Sequence, residues 1–452
     1  MRIFLVNRTS GTLNGLCRYY MGTILFLLLN NVLFAQNPLI QDQFTADPTA
    51  RVFDDTVYIY PSHDIMCTED KGKPGWFCME DYHVFSSKNL TAWKDHGVIL
   101  TQKDVSWTDP QAYSMWAPDC IEKEGLYYFY FPTKSKESGA FKIGVAVGKS
   151  PVGPFISEKN PIENVDGIDP NVFMDTDGQA YLYWSGKNIY LAKLKPNLKE
   201  LASEPVVIAN LPEEGHMEGP FMFERNGNYY LTYPHVEDKT ERLEYAMGDN
   251  PMGPFQVTGV LMDESATGCW TNHHSIVAFK KQWYLFYHHN DLSPDFDKNR
   301  SIRADSLTFN PDGSIQKVVP TLRGIGISAA ADKIEIDRYT KKSKHALVRF
   351  NDPQEPFKGW NIALEQEDWV HYNSVQFDEK YSKIILYARA EKASVLSITD
   401  AVLKSTIAEI QIAPGDGWER YEIAIAPVNT GRYDLVFSLK KGKIAIDWVQ
   451  FK

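Results

Sequence analysis

Ile168-Asp169-Pro170-Asn171-Val172-Phe173 runs into Met174-Asp175-Thr176-Asp177-Gly178 and then into Ala180-Tyr181-Leu182-Tyr183-Trp184. Val172 and Phe173 have high β propensity, and the aromatic run suits a strand that packs on both faces. Asp177-Gly178 between them is a strong hairpin signal. The stretch predicts two antiparallel strands joined by a tight turn, with the carboxylate of Asp169 at the start of the first strand.

The same unit recurs between residues 47 and 287, so the chain holds five copies of it. In each copy a polar residue precedes an aromatic run by nine to twelve residues: Asp47 and Tyr58, Asp119 and Tyr128, Asp169 and Tyr181, Glu218 and Tyr230, His274 and Tyr284. A period of roughly 50 to 70 residues with this strand content favours a β-propeller.

The first strand of each propeller blade lines the central axis, so residues at the same phase of the repeat converge. We therefore expect Asp47, Asp169, Glu218 and His274 to meet at one central pocket, although they are far apart in the sequence.

The rest of the chain predicts an added domain and an export signal. At 452 residues the chain suits a propeller plus one further domain. Met21 to Ala35 is apolar and follows Arg18, which predicts a signal peptide over 1–35 and a secreted or periplasmic protein; a buried or amphipathic helix is the alternative. A net charge of −11 without a basic run argues against nucleic acid, and against a membrane partner of the mature form.

Two domain ranges follow from the change in composition near Gly324 to Ala331, where the propeller markers end. We predict an all-β chain with a five-bladed propeller over 36–325 and a jelly-roll-like β-sandwich over 326–452. Cys67 and Cys78 bracket a loop, and either a disulfide across it or unpaired thiols would fit the sequence.

Three phase-matched carboxylates predict glycoside hydrolysis. Cleavage of a glycosidic bond needs one carboxylic acid to protonate the leaving oxygen and one carboxylate to activate water or attack carbon. A third carboxylate nearby raises the pKa of the acid and orients it. Taken singly, Asp47, Asp169 and Glu218 could each begin a turn or loop, and it is their common phase that favours a catalytic function.

The pattern resembles glycoside hydrolase family 43 over residues 40–320. The matching motifs are the Asp-Pro at Asp47, Trp116-Ala117-Pro118-Asp119, Ile168-Asp169-Pro170, Glu218-Gly219-Pro220, His273-His274-Ser275, and Arg300-Ser301 followed by Asn310-Pro311-Asp312-Gly313. The resemblance implies a five-bladed propeller that hydrolyses furanosides and xylosides with inversion. It makes Asp47 the general base, Asp169 the pKa modulator and Glu218 the general acid. An inverting pair has its carboxyl groups about 6.5–9.5 Å apart.

The resemblance also implies further site residues. Trp116 would form an apolar wall for a sugar ring or pack between blades, and Arg300 would reach toward the pocket or form a surface ion pair. From their position after the first aromatic strand, His63 and Asp64 would lie at the rim of the pocket. His274 would bind substrate, approach a structural calcium ion at the axis through water, or serve as a hydrogen-bonded structural residue. No cofactor is required for the reaction itself.

The C-terminal part resembles a family 6 carbohydrate-binding module. The residues that carry the resemblance are Asp368-Trp369-Val370-His371-Tyr372, Gly417-Trp418 and Ile446-Asp447-Trp448-Val449-Gln450-Phe451. Trp418 occupies one position of the sugar cleft of that family, whereas Ala363 and Ala445 fall where a second aromatic and an asparagine are usual. A sandwich that supports the propeller without binding sugar is the alternative.

The function expected from the sequence is an α-L-arabinofuranosidase that removes terminal units from plant polysaccharide or oligosaccharide. A β-xylosidase or an exo-galactanase would use the same carboxylates. A non-catalytic sugar-binding propeller would keep the aromatic residues without needing an acid pair. An interaction propeller of the WD type is disfavoured, since the blades lack a Trp-Asp ending.

Overall fold

The computed structural model describes residues 33–34 and 36–452. The predicted signal peptide lies outside these residues, apart from the short strand Leu33–Phe34, which pairs with Ala92 and Trp93. Among the described residues, no helix has the length and apolar character needed to cross a membrane.

Five antiparallel sheets form the first part of the chain, and they confirm the predicted five-bladed propeller. Blade I contains Thr45–Phe53, Thr56–His63, Asp81–Ser87 and Ala92–Thr101, joined at its outer edge by Leu33–Phe34; blade II contains Asp119–Lys123, Leu126–Lys134, Phe141–Gly148 and Ile156–Ser157; blade III contains Ile168–Met174, Ala180–Ser185, Ile189–Lys193 and Val206–Val207; blade IV contains His216–Met217, Phe221–Arg225, Asn228–Val236, Glu241–Gly248 and Gln256–Met262; blade V contains His274–Phe279, Gln282–His289 and Ser301–Leu307. A 3₁₀ helix, Gln102–Asp104, follows blade I.

The aromatic second strands pack between blades, as the sequence predicts. In Ala180–Ser185 of blade III, Leu182 and Trp184 belong to an apolar cluster shared with blade II, while Tyr181 and Tyr183 belong to a cluster shared with blade IV. Alternate side chains of a strand point to opposite faces, so one aromatic strand joins two neighbouring blades.

The ring closes between blades V and I. The inner strand of each blade contacts the inner strand of the next, and His274–Phe279 of blade V contacts Thr45–Phe53 of blade I. The segment before blade I adds main-chain hydrogen bonds to the last strand of blade V, from the Leu39 N–H to the Ile302 carbonyl at 2.9 Å and from the Thr45 N–H to the Arg300 carbonyl at 3.0 Å.

The C-terminal part is a β-sandwich with its own apolar core. Its strands are Ser328–Ala329, Ile334–Glu335, Lys341–Lys342, Leu347–Phe350, Trp360–Glu365, Trp369–Phe377, Tyr381–Asp400, Thr406–Ile412, Glu419–Val428 and Gly431–Phe451, with a 3₁₀ helix at Pro356–Lys358. The two long strands, Tyr381–Asp400 and Gly431–Phe451, pair with each other along most of their length. The predicted limit at residue 325 falls in the segment between the last propeller strand and the first sandwich strand.

Residues that precede blade I also contact the sandwich. The Gln36 side-chain amide donates to the Tyr372 hydroxyl and, at 3.2 Å, to the Glu335 carbonyl. Arg338, which is fully buried, donates to the Asn37 carbonyl at 3.1 Å. The segment that closes the ring is therefore held by both parts of the chain.

A substitution at Asn37 tests how much the segment before blade I contributes to the stability of the closed ring. Its buried amide donates to the Ala304 carbonyl at 3.0 Å and the Thr321 carbonyl at 2.8 Å, and accepts from the Ala304 N–H at 2.8 Å. Because Asn37→Ala leaves buried main-chain groups without partners, we expect a loss of about 1–3 kcal/mol in the free energy of unfolding. Urea denaturation measures it, with the exposed Asn197→Ala as the control. Equal midpoints for the two variants would contradict this role for Asn37.

Candidate active site

A pocket of about 420 Å³ opens where the inner strands of the propeller begin. Asp47 of blade I, Asp169 of blade III and the Glu218 side chain of blade IV line it, together with Trp116 and Arg300. The remaining lining residues are Trp76, Phe77, Met79, Ala117, Ile168, Trp270, Thr271, His273 and Lys298. Five of the eight side chains predicted from the sequence are thus brought together, and His63, Asp64 and His274 are not among them.

Asp47 and Asp169 are presented by the same irregularity of the backbone. Each precedes a proline, and each lies where the pairing of the inner strand shifts register, between Ala46 and Thr49 in blade I and between Ile168 and Asn171 in blade III. The backbone of both aspartates is in the left-handed region, with φ of 47° at Asp47 and 56° at Asp169. Such a conformation is uncommon outside glycine but tolerated by Asp, and a bulge of this kind re-aims a side chain. Here it turns both carboxylates toward the pocket.

Arg300 fixes the carboxylate of Asp47. Its guanidinium donates to Asp47 Oδ1 at 2.7 Å and to Oδ2 at 3.2 Å, and Ser62 donates to Oδ2 at 2.7 Å. Burial alone would raise the pKa of Asp47, but the charge of Arg300, with smaller contributions from His288 and His273, lowers it below its ordinary value. Asp47 is therefore held as a carboxylate.

Asp64, which the sequence analysis placed with His63 at the rim of the pocket, is buried and completes this arrangement by pairing with Arg300. The side chain is fully buried and accepts from Arg300 Nη2 at 2.9 Å and from Arg300 Nε at 3.0 Å. The guanidinium carbon also lies 4.8 Å from the centre of the Phe77 ring in the pocket wall. Arg300 is thus oriented by two carboxylates and one aromatic ring.

Asp169 has a different environment from Asp47. Its Oδ2 accepts from the Gly219 N–H at 3.1 Å, and Gly219 also donates to Ser185 Oγ at 2.8 Å. The His273 Nδ1 lies 4.0 Å from Asp169 Oδ1, and burial lowers the pKa of that histidine, which favours its neutral form. Burial, followed by the charges of Glu218 and Asp47, raises the pKa of Asp169 well above its ordinary value.

Gly219 joins Asp169 to the neighbouring Glu218. It is left-handed, with φ of 54°, and a Cβ there would lie 3.0 Å from the Pro234 ring and from His273 Nδ1. Only glycine meets both conditions without displacing a neighbour. A glycine is therefore required after Glu218 so that the main-chain N–H of residue 219 can donate to the Asp169 carboxylate.

Glu218 is paired with a second glutamate that the repeat pattern did not reveal. Its Oε2 lies 3.1 Å from His216 Nε2, and the carboxylates of Glu218 and Glu241 offer oxygen atoms within 4.8 Å of each other. Glu241 is fully buried, and its Oε2 accepts from the Asn272 N–H at 2.7 Å. Burial and then the charge of Glu218 raise the pKa of Glu241 well above its ordinary value. It lies at the start of the strand Glu241–Gly248 of blade IV, which is not the position at which the repeat has a polar residue.

Aromatic rings form the apolar wall of the pocket. Trp116 lies 5.9 Å from Phe77, and Phe77 lies 5.6 Å from Trp76, measured between ring centres. Trp76, Phe77 and Met79 come from the segment 64–80 between the second and third strands of blade I, and Trp270 lies across the pocket. Such surfaces suit the apolar faces of sugar rings.

His274 lies behind the pocket wall. Successive side chains of a strand alternate, so His273 faces the pocket while the His274 Nε2 contacts Thr232 Oγ1 at 2.6 Å in the interior. Its Nδ1 has no partner among the described atoms, and burial lowers its pKa well below the ordinary value. A neutral Nδ1 can accept from water, but within residues 36–452 no grouping of three metal-ligating side chains includes His274. The residues present offer no oxygen cage for calcium, and the ion stays a prediction.

Cys67 and Cys78 are not joined by a disulfide in this structure, and Cys120 and Cys269 are also free thiols.

In the sandwich, Trp418, Ala363 and Ala445 lie around one small pocket of about 80 Å³. The Trp418 ring stacks on Tyr387 at 5.5 Å, so one of its faces is covered by the protein itself. Binding of sugar there remains a prediction.

Comparison with known proteins gives one consistent result. Residues 35–315 match the family described as glycosyl hydrolases family 43. Xylosidase/arabinosidase 43A of Humicola insolens is 38% identical over 62% of this chain and 98% of its own length. A β-xylosidase of Xylanibacter ruminicola is 36% identical over 61% of this chain and 97% of its own. A crystal structure of a family 43 β-xylosidase/α-arabinofuranosidase from a compost microbial metagenome, in complex with xylotriose, is 37% identical, covers 63% of this chain and 97% of its own, and has a TM-score of 0.57.

Proposed function

Because the chain belongs to glycosyl hydrolases family 43 and is a glycoside hydrolase, we propose that it releases terminal α-L-arabinofuranosyl or β-xylosyl units from plant oligosaccharide or polysaccharide with inversion. The observation that carries this proposal is the convergence of Asp47, Asp169 and Glu218 from three blades on one pocket walled by aromatic rings.

Asp47 is the general base of the proposed mechanism. Its carboxylate is kept ionised by Arg300, so it can take a proton from a water as that water attacks the anomeric carbon. The two oxygens are held by Arg300 and Ser62, which limits the directions in which the carboxylate can accept the proton.

Glu218 is the general acid, and Asp169 modulates it. Of the three carboxyl groups, Glu218 has the most exposed side chain, at 15% of its surface, so it can reach the leaving oxygen. Asp169 and Glu241 lie beside it without a buried arginine or lysine, and like charges in one place resist joint ionisation. Burial and these charges favour the protonated forms of Asp169 and Glu241, and Asp169 would orient Glu218 for proton transfer.

The two sugar specificities rest on the named relatives and on the pocket wall. The relatives are described as xylosidase, arabinosidase or both. An arabinofuranosyl unit and a xylosyl unit are both pentoses, and the same base and acid would serve either. An exo-galactanase remains an alternative without a relative among those compared above.

The first prediction concerns stereochemistry. Given aryl α-L-arabinofuranoside, β-xyloside and β-galactoside, the enzyme should cleave one or both pentosides, and proton NMR should show the inverted anomer as the first product. Glu218→Ala should lower the turnover of a natural oligosaccharide by about 10²–10⁴-fold. The exposed Glu213→Ala is the control. Retention of configuration would refute the assigned mechanism, and sugar binding without turnover in the unchanged protein would favour a non-catalytic propeller.

The second prediction concerns the pH profile. Asp47 must be deprotonated to act, and Arg300 lowers its pKa, so Arg300→Gln should raise that pKa and move the acidic limb of kcat/KM to higher pH. Arg303→Gln is the matched control, since Arg303 is equally buried but pairs with Asp291 outside the pocket. An acidic limb that stays in place in Arg300→Gln, or that moves as far in Arg303→Gln, would argue against Asp47 as the base.

The third prediction concerns Glu241 as a positioning residue. Glu241→Gln keeps the shape of the side chain but removes the carboxyl group beside Glu218. We expect kcat to fall by about 10- to 100-fold, part of the gain that general acid catalysis supplies, with KM near that of the unchanged enzyme. Glu244→Gln, a buried change on the same strand that contacts His235 instead, should leave kcat near that of the unchanged enzyme. Equal losses of kcat in the two variants would limit Glu241 to a structural role.

A further inference from the structure

Blade I holds a second grouping of ligand-type side chains outside the pocket. His63 ends the second strand of the blade, and Asp81 and His83 lie at the start of the third. The His63 Nδ1 is 2.6 Å from Asp81 Oδ1, and the two imidazole rings are 4.9 Å apart. One ligand atom from each of the three side chains lies within 4.8 Å of the others. Bonds of about 2.0–2.2 Å from one ion to nitrogen and oxygen put its ligand atoms about 3–4 Å apart, so the three side chains can converge on one ion through side-chain rotation.

A neighbouring carboxylate orients His83 as metal-bound histidines are usually oriented. The His83 Nδ1 faces both oxygens of Asp95, each at 3.1 Å. Asp95 is itself fixed, since it accepts from the Gly97 N–H at 2.7 Å and from the Gln43 amide at 3.2 Å. With Nδ1 engaged in this way, Nε2 is the nitrogen left to bind an ion. Metal ligands of this kind generally give their other ring N–H to a carboxylate.

The exposure of the three side chains suits an ion taken from solution. His63 is 21% exposed, and Asp81 and His83 are each 14% exposed, so the group is neither sealed in the core nor spread over open surface. An ion pair between His63 and Asp81 alone would explain their contact. It would not account for the second imidazole, His83, which brings a ligand atom within 4.8 Å of both and is paired with Asp95.

We propose that His63, Asp81 and His83 bind a divalent transition-metal ion of the zinc type, with Asp95 orienting His83. Two imidazole nitrogens and one carboxylate select zinc over calcium, which takes six to eight oxygen ligands. Three protein ligands leave a fourth position for water.

The site would fix the base of the segment that forms the aromatic wall of the pocket. Residues 64–80 leave the blade after His63 and return to it at Asp81, and they carry Trp76, Phe77 and Met79. An ion bound at both ends would tie the two ends of this segment to each other. The binding itself does not depend on the proposed glycosidase function, so the two can fail separately.

Titration of the full chain with Zn²⁺ tests the proposal. After treatment with a chelator, calorimetry should show about one tight equivalent that Ca²⁺ in excess does not displace. His83→Ala should abolish this binding, and Asp95→Asn should weaken it by about 10- to 100-fold. His96→Ala, on the outer strand of the same blade, is the control. His216→Ala removes the other grouping of metal-ligating side chains and should leave the binding intact.

Two outcomes would overturn the site: no zinc bound by the unchanged chain, or zinc bound by His83→Ala with unchanged affinity. Circular dichroism in the absence of metal checks that each variant folds. Should His83→Ala fail that check, the visible d–d absorption of bound Co²⁺ in the unchanged chain and in Asp95→Asn gives the answer. The same spectrum and affinity in both proteins would exclude His83 as a ligand oriented by Asp95.

Trypsin cleavage of the Lys71–Gly72 bond provides a separate measure of the segment. Zinc should slow this cleavage in the unchanged chain and in His96→Ala, and should have no effect in His83→Ala. Equal rates with and without zinc in the unchanged chain would show that the ion does not fix the base of the segment.

Discussion

The buried guanidinium of Arg300 is the contact on which the rest of the site depends. It lies just before the last strand of blade V, yet its partners, Asp47 and Asp64, both belong to blade I. One ion-paired group therefore joins the ends of the propeller and keeps Asp47, the proposed base, ionised. A buried charge without its partner is strongly destabilising, so each of the three groups requires the other two. The same ion pairs therefore close the ring and keep Asp47 ionised.

The two sides of the pocket differ in how their negative charge is compensated. Asp47 has an arginine at hydrogen-bonding distance, which favours the ionised form. Asp169 and Glu241 are buried beside Glu218 with main-chain N–H groups as partners, and there burial and mutual repulsion favour the protonated form. Carboxyl groups of nearly the same intrinsic pKa are thus separated into a base side and an acid side by their surroundings.

Much of the fold was predictable because a repeat fixes many residues at once. The recurrence of a polar residue before an aromatic run predicted five blades and the pocket shared by Asp47, Asp169 and Glu218. Glu241 was missed because it lies on the strand Glu241–Gly248, where the repeat has no marker. His274 was chosen instead of His273 because a pattern locates a strand to within a residue, and one residue reverses the face of a side chain. The segment 64–80 follows no period, so the individual roles of Trp76 and Phe77 could not be assigned from the sequence.

The central claim is that Asp47 and Glu218 act together on one bond of one substrate. It is tested most directly by comparing kcat on a natural oligosaccharide for Asp47→Asn, Glu218→Gln and the double variant. Groups that act as a unit lose most of their effect when either is removed. The double variant should therefore be no slower than the slower single variant. Losses that multiply in the double variant would mean that the two carboxylates act independently, and would contradict this account.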